Sequence, residues 1–247
     1  MRINIRLILL VVVLLSGCVT TGDRVPDNIK ASAVNVQLGM GYLQQNNMEQ
    51  ASEKLNKAIR QDPDSASAHN AFGILQERLL QTEKAEEHYR IATRLDPKNS
   101  AAANNYGTFL CRNKREAESE KYFLKALENP LYNTPEYAYT NAALCLLRID
   151  VKDRAKDYLR KALAAKSDFS TALISMARIE FEEENYADAK VYLDRFHRVA
   201  QPTARSLWYA IRAELQMDNN RNVDELADKL KTNFPDSEEY KSWLKIQ

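Results

Sequence analysis

Cys18 ends an apolar run in Leu14-Leu15-Ser16-Gly17-Cys18, and its thiolate is the one nucleophile in the vicinity suited to accepting a thioether-linked diacylglycerol. Other candidate reactive groups are few. The chain has three histidines: His69 falls at an inward helix position that favours packing, and His88 and His197 lack the His/Cys/Asp spacing of a zinc site. No G-x-S-x-G, H-E-x-x-H or glycine-rich phosphate loop occurs. Glu182-Glu183-Glu184 reads as the solvated end of a helix. The expectation is therefore no enzyme, no catalytic residue, no metal site, no cofactor and no small-molecule substrate.

Before Cys18 come Arg2 and Arg6 and then nine uninterrupted apolar residues, Leu7 to Leu15. A membrane-spanning helix needs about 20, so residues 1–17 read as a signal peptide, with Ser16 and Gly17 small enough for a peptidase. Leu15-Ser16-Gly17-Cys18 resembles the bacterial lipobox, which is cut just before the cysteine. Each buried methylene of an attached acyl chain contributes about 0.8 kcal/mol, so two or three chains anchor a protein durably. In lipoproteins an aspartate after the cysteine tends to retain the protein at the inner membrane. Val19 occupies that place here, so the resemblance implies an outer-membrane address, lipid-anchored and facing the periplasm. Residues 18–31 read as lipidated cysteine and flexible tether, having no apolar period.

The precursor carries 35 basic against 34 acidic residues, and losing Arg2 and Arg6 would leave 33 against 34. A near-neutral chain has no basic face with which to displace counterions from phosphates, so no nucleic-acid partner is expected.

The body of the chain repeats. Gly39, Gly73 and Gly107 are spaced by 34, as are Pro63 and Pro97, and Ala58, Ala92 and Ala126. A period of 34 is that of the tetratricopeptide repeat, a pair of helices that stacks into a solenoid. Glycine and alanine let the two helices approach, with Leu55, Tyr89 or Phe123 filling the space beside them. Asp62-Pro63-Asp64 and Asp96-Pro97 mark turns, because proline disfavours helix in the residue before it. Pro130 and Thr134-Pro135 shift the phase by two. The sequence thus predicts an all-α, right-handed superhelical solenoid over residues 32–247. Six repeats lie near 32–65, 66–99, 100–133, 136–169, 170–203 and 204–237, followed by a capping helix with Ser237 as N-cap. An oxidising periplasm permits a Cys111–Cys145 disulfide. The phase shift sets the two apart in register, however, and two buried thiols are the expected state.

The first helix of each repeat lines the inner wall, its second, fifth, ninth, twelfth and thirteenth residues facing the groove. The first repeat presents Val36, Met40 and Leu43 there; the second Asn70 and Ile74; the third Asn104 and Arg112. Such an apolar patch grading into Asn and Arg suits an amphipathic helix or extended peptide with a polar flank. These seven residues are the expected partner-binding set.

The lipobox, the six repeats, Asn-Ala-Phe-Gly at 70–73 and Asn-Asn-Tyr-Gly at 104–107 followed by Phe109-Leu110-Cys111 together resemble the PilF/PilW family of type IV pilus biogenesis lipoproteins. The resemblance implies a pilotin, which binds the secretin subunit of the type IV pilus and promotes its outer-membrane localisation and multimerisation, and hence twitching motility. The alternative is an outer-membrane lipoprotein scaffold that tethers peptidoglycan enzymes or envelope-assembly factors.

Overall fold

The computed structural model describes residues 26–246, so Cys18 and the segment read as a signal peptide lie outside it. Among the described residues there are thirteen helices and no strand. They run α1 Asp27–Gln44, α2 Met48–Gln61, α3 Ala66–Arg78, α4 Thr82–Leu95, α5 Ser100–Arg112, α6 Glu116–Leu127, α7 Pro135–Leu147, α8 Lys152–Ala165, α9 Ser170–Glu182, α10 Tyr186–Val199, α11 Ala204–Gln216, α12 Asn220–Asn233 and α13 Glu238–Leu244. None is long and apolar enough to cross a membrane.

Consecutive helices pair as hairpins, α1 with α2 through α11 with α12. Their close approach has the expected cause. A Cβ added to Gly39 would lie 2.5 Å from Leu55, one on Gly73 2.9 Å from the Tyr89 ring, and one on Gly107 2.8 Å from Phe123. Each large side chain therefore occupies the place that a glycine leaves empty, and it reaches the next repeat as well: Leu55 packs with Phe72 and Leu75, and Tyr89 with Tyr106 and Phe109. Helix starts are capped by side chains where the turns supply them. Asn47, Ser65 and Asn99 accept the N–H of Gln50, Ala68 and Ala102, and Ser237 accepts that of Tyr240, as expected for the last helix. Asp62 and Asp96 close the proline turns by accepting the N–H two residues on.

Three features depart from the sequence reading. Helix α1 begins at Asp27, inside the stretch read as tether. Its extra turn runs along α2, where Asn28 Nδ2 donates to the Gln61 carbonyl at 3.1 Å, and one turn on Ser32 Oγ donates to that of Ala58 at 2.9 Å. The phase shift is absorbed between α6 and α7. Helix α6 stops at Leu127, residues 128–134 form a longer connection with Tyr132 packed inward, and Pro135 opens α7 at its first position, where its missing N–H costs nothing. Finally, Cys111 and Cys145 form a disulfide, with Cα atoms 5.8 Å apart, instead of two thiols. Contacts between inner helices join residues at non-equivalent places, as Asn70 with Asn105 does, so an offset in register does not keep the two sulfurs apart.

Odd-numbered helices pack closely on the next odd-numbered helix from α1 to α13, whereas even-numbered helices stand farther apart and meet through long side chains, as where the Tyr158 hydroxyl on α8 donates to Glu120 on α6 at 2.9 Å. The odd layer is therefore the inner, tighter side of a curve. Helix α13 continues it against α11 and α12 as half a repeat, burying Trp243 over the last core cluster.

Candidate groove on the inner wall

Burial on α1 follows Ser32, Asn35, Gly39 and Leu43, the stripe that faces α2. Val36 and Met40, four residues apart, fall on the adjacent strip and are only partly buried, as is Ile74 on α3; all three pack on the same core cluster. Leu43 belongs to the cluster itself at 1% exposure, which corrects its placement in the groove. The twelfth place of this repeat is part of the helix-pair interface, one stripe behind the wall.

Asn70 and Asn104 form ties between inner helices. Asn105 Nδ2 donates to Asn70 Oδ1 at 3.1 Å, and Asn141 Nδ2 to Asn104 Oδ1 at 3.0 Å. Asn104 is 9% exposed, so its carboxamide is mainly structural, while Asn70 remains half-open to the groove. Asn105 and Asn141 were missed by the sequence reading. The doubled asparagine at 104–105 was the available sign, since the two residues serve opposite neighbours.

Ile74 and Arg112 meet in a cavity of ≈ 560 Å³ between α3 and α5, which Glu77, Arg78, Tyr89 and Phe109 also line. Arg112 donates to Glu77 Oε1 at 2.8 Å, and the Tyr89 hydroxyl donates to Glu77 Oε2 at 2.9 Å. Burial, and then the Glu77 carboxylate, push the Tyr89 phenol well above its usual range, so it stays a donor. Arg78 reaches back to the Leu43 carbonyl at the end of α1. Leu80 forms the outer lip at 85% exposure. The floor is apolar and the far wall carries fixed charge, an arrangement that can seat an apolar side chain and orient the peptide bearing it. Val36, Met40, Asn70 and Asn104 lie outside this cavity, on the same wall. Among the described residues no group of three or more His, Cys, Asp or Glu side chains is placed to hold a metal ion.

His69 is buried, as a packing role requires, but it is not alone. Its Nδ1 lies 2.9 Å from that of His88, and its Nε2 lies 3.0 Å from the Pro63 carbonyl.

Comparison with known proteins agrees with this architecture. Family profiles described as TPR repeat and tetratricopeptide repeat match residues 39–79 and 70–138. The type IV pilus assembly protein PilF of Pseudomonas aeruginosa is 33% identical over 98% of each chain. A solved structure of Pseudomonas aeruginosa PilF superposes with TM-score 0.82 at 32% identity, covering 90% of this chain and all of that one. The crystal structure of PilW, a type IV pilus biogenesis factor, superposes with TM-score 0.76, also at 32% identity, over 86% of this chain and 98% of its own.

Proposed function

Because the chain belongs to the PilF/PilW family of type IV pilus biogenesis proteins built from tetratricopeptide repeats, we propose that it acts as a pilotin. In this reading it is lipidated at Cys18 and held at the outer membrane facing the periplasm. There it binds the secretin subunit of the type IV pilus and promotes its localisation and multimerisation. The observation that supports the reading is the partly buried apolar set of Val36, Met40 and Ile74, which packs over one core cluster, with Ile74 also lining the cavity at Arg112. Covering such a strip yields about 25 cal/mol for each Å² removed from water, and association and ordering consume part of it. Useful affinity then requires an extended segment that fills the strip and the cavity together.

Met40→Glu tests this. The side chain is only partly buried, so the variant should keep its helical content and lose capture of the secretin subunit, leaving that subunit unassembled. Leu43→Glu is no substitute, since a charge at that buried site would unfold the first repeat. Retained capture by folded Met40→Glu would move the contact elsewhere. The anchor is tested by palmitate labelling: Cys18→Ala should be released unlabelled, still capture the secretin, and fail to deliver it. Absence of label from the parent protein would end the lipidation reading.

A further inference from the structure

The inner wall changes character in its last three repeats. Arg148 closes α7, while Arg178 on α9 and Arg212 on α11 stand 34 residues apart at the same place of their repeats. The Arg212 guanidinium lies 4.7 Å over the ring of Phe181 and 6.0 Å from that of Trp208. Phe181 is in turn braced by Tyr186 and Tyr209, with ring centroids 5.5 and 5.1 Å away. Stacking of this kind holds the guanidinium plane while leaving its N–H edge free. Arg178 has a buried Nε without a hydrogen-bond partner, and its nearest acid, Glu182, is 3.8 Å away and also 3.3 Å from Lys152. Among the described residues neither Arg148 nor Arg212 makes an ion pair. Arg205 on the same wall makes only a distant one, 3.8 Å to Glu239. Arg148 and Arg212 are both exposed, so their guanidinium groups are open to an incoming carboxylate.

We propose that repeats four to six form a second contact region, in which Arg148, Arg178 and Arg212 receive the side-chain carboxylates of an extended acidic segment of the protein partner. This deepens the reading above by stating the chemistry of one partner segment, and rests on it only for the presence of a partner in the groove. One arginine from each of three successive inner helices argues for several spaced carboxylates over a single terminal one. Packed helices lie about 8–10 Å apart and an extended chain rises about 3.3 Å per residue, so the matching segment carries an acidic residue at about every third position. The forked guanidinium favours carboxylates that it can engage through two N–H groups.

The probe is a labelled synthetic peptide of about ten residues with aspartate at every third position and Gly/Ser between, compared with its asparagine counterpart on the full chain. The aspartate peptide should bind and weaken with added salt, and the asparagine peptide should not bind. Arg178→Gln with Arg212→Gln should weaken binding by at least about tenfold with unchanged helical content. Met40→Glu should bind the peptide as the parent does. Arg212→Lys, which keeps the charge and loses the fork, should fall between. Equal binding of the two peptides, no binding of either, or an unaffected double glutamine variant would overturn the proposal. Loss of secretin capture in Met40→Glu bears on the first-repeat strip alone, so the two readings fail separately.

Discussion

His69 and His88 show how a single residue's partners decide its chemistry. The Pro63 carbonyl can only accept, so His69 Nε2 carries its proton, His69 Nδ1 accepts, and His88 Nδ1 donates. One added proton can sit on His88 Nε2 without breaking this chain of bonds; a second cannot be housed. Burial, and then His69, hold His88 below the usual histidine range against the opposing pull of Glu87. Burial does the same to His197, with Lys229 adding to it and Asp194 opposing it. The folded chain therefore binds these protons less readily than the unfolded one, and their contribution to stability is lost as pH falls through about 6.5. The thermal midpoint should fall between about pH 7.5 and 5.5. The drop should shrink in the double variant His88→Gln, His197→Gln; an unchanged profile would show that the histidines do not govern it. None of this was legible in the sequence, where His69 and His88 stand 19 residues apart on different helices. Leu43 was misplaced for a related reason: its spacing from Met40 suits either stripe of α1, and only the position of Leu55 and α2 decides between them.

At the scale of elements, the turn inside every hairpin is built alike. Asn46, Leu80, Lys114, Asp150, Glu184 and Asp218 each adopt positive φ, between 56° and 64°. In each turn the next residue's N–H bonds the carbonyl five residues back, from Asn47 to Tyr42 at 2.9 Å through Asn219 to Glu214 at 3.0 Å. Three of the six are Asn or Asp, which tolerate this region, the other three are Leu, Lys and Glu, and none is glycine. Sequence reading finds the glycines and alanines of the helix contacts because packing restricts them, but it cannot see a conformation imposed by the helices on either side. Leucine is a costly occupant of this region, by about 1–2 kcal/mol, and Leu80 is too exposed to recover much through packing. After allowing for glycine's greater freedom when unfolded, Leu80→Gly should stabilise the chain by about 0.5–1 kcal/mol, measurable as a higher denaturation midpoint. A lower midpoint would mean that Leu80 packs more than its exposure shows. The junctions between hairpins also repeat, with ion pairs from Lys156 to Glu180 at 2.9 Å and from Lys190 to Glu214 at 3.1 Å.

For the whole molecule, the covalent link between α5 and α7 lies near the middle of the stack and closes a span of 34 residues. Its loss should cost about 2–4 kcal/mol, mostly at the junction of the third and fourth repeats. Hydrogen exchange of the reduced protein, or of Cys111→Ala with Cys145→Ala, should show lost protection centred on α5 to α7 and little change in α1 or α12. Uniform loss along the chain would instead mean that the solenoid unfolds as one cooperative unit. The contact pattern also fixes how the body yields to force. Inner helices already pack closely, so tighter curling meets hard repulsion, while the wider spacing of the outer helices, bridged by flexible side chains such as Arg154 to Glu120, leaves room for straightening. The molecule is then a one-sided spring, soft when pulled open along its axis and stiff when squeezed. The disulfide joins two helices on the side that must lengthen, so it acts as a rivet, and extension is taken up by the arms on either side of it.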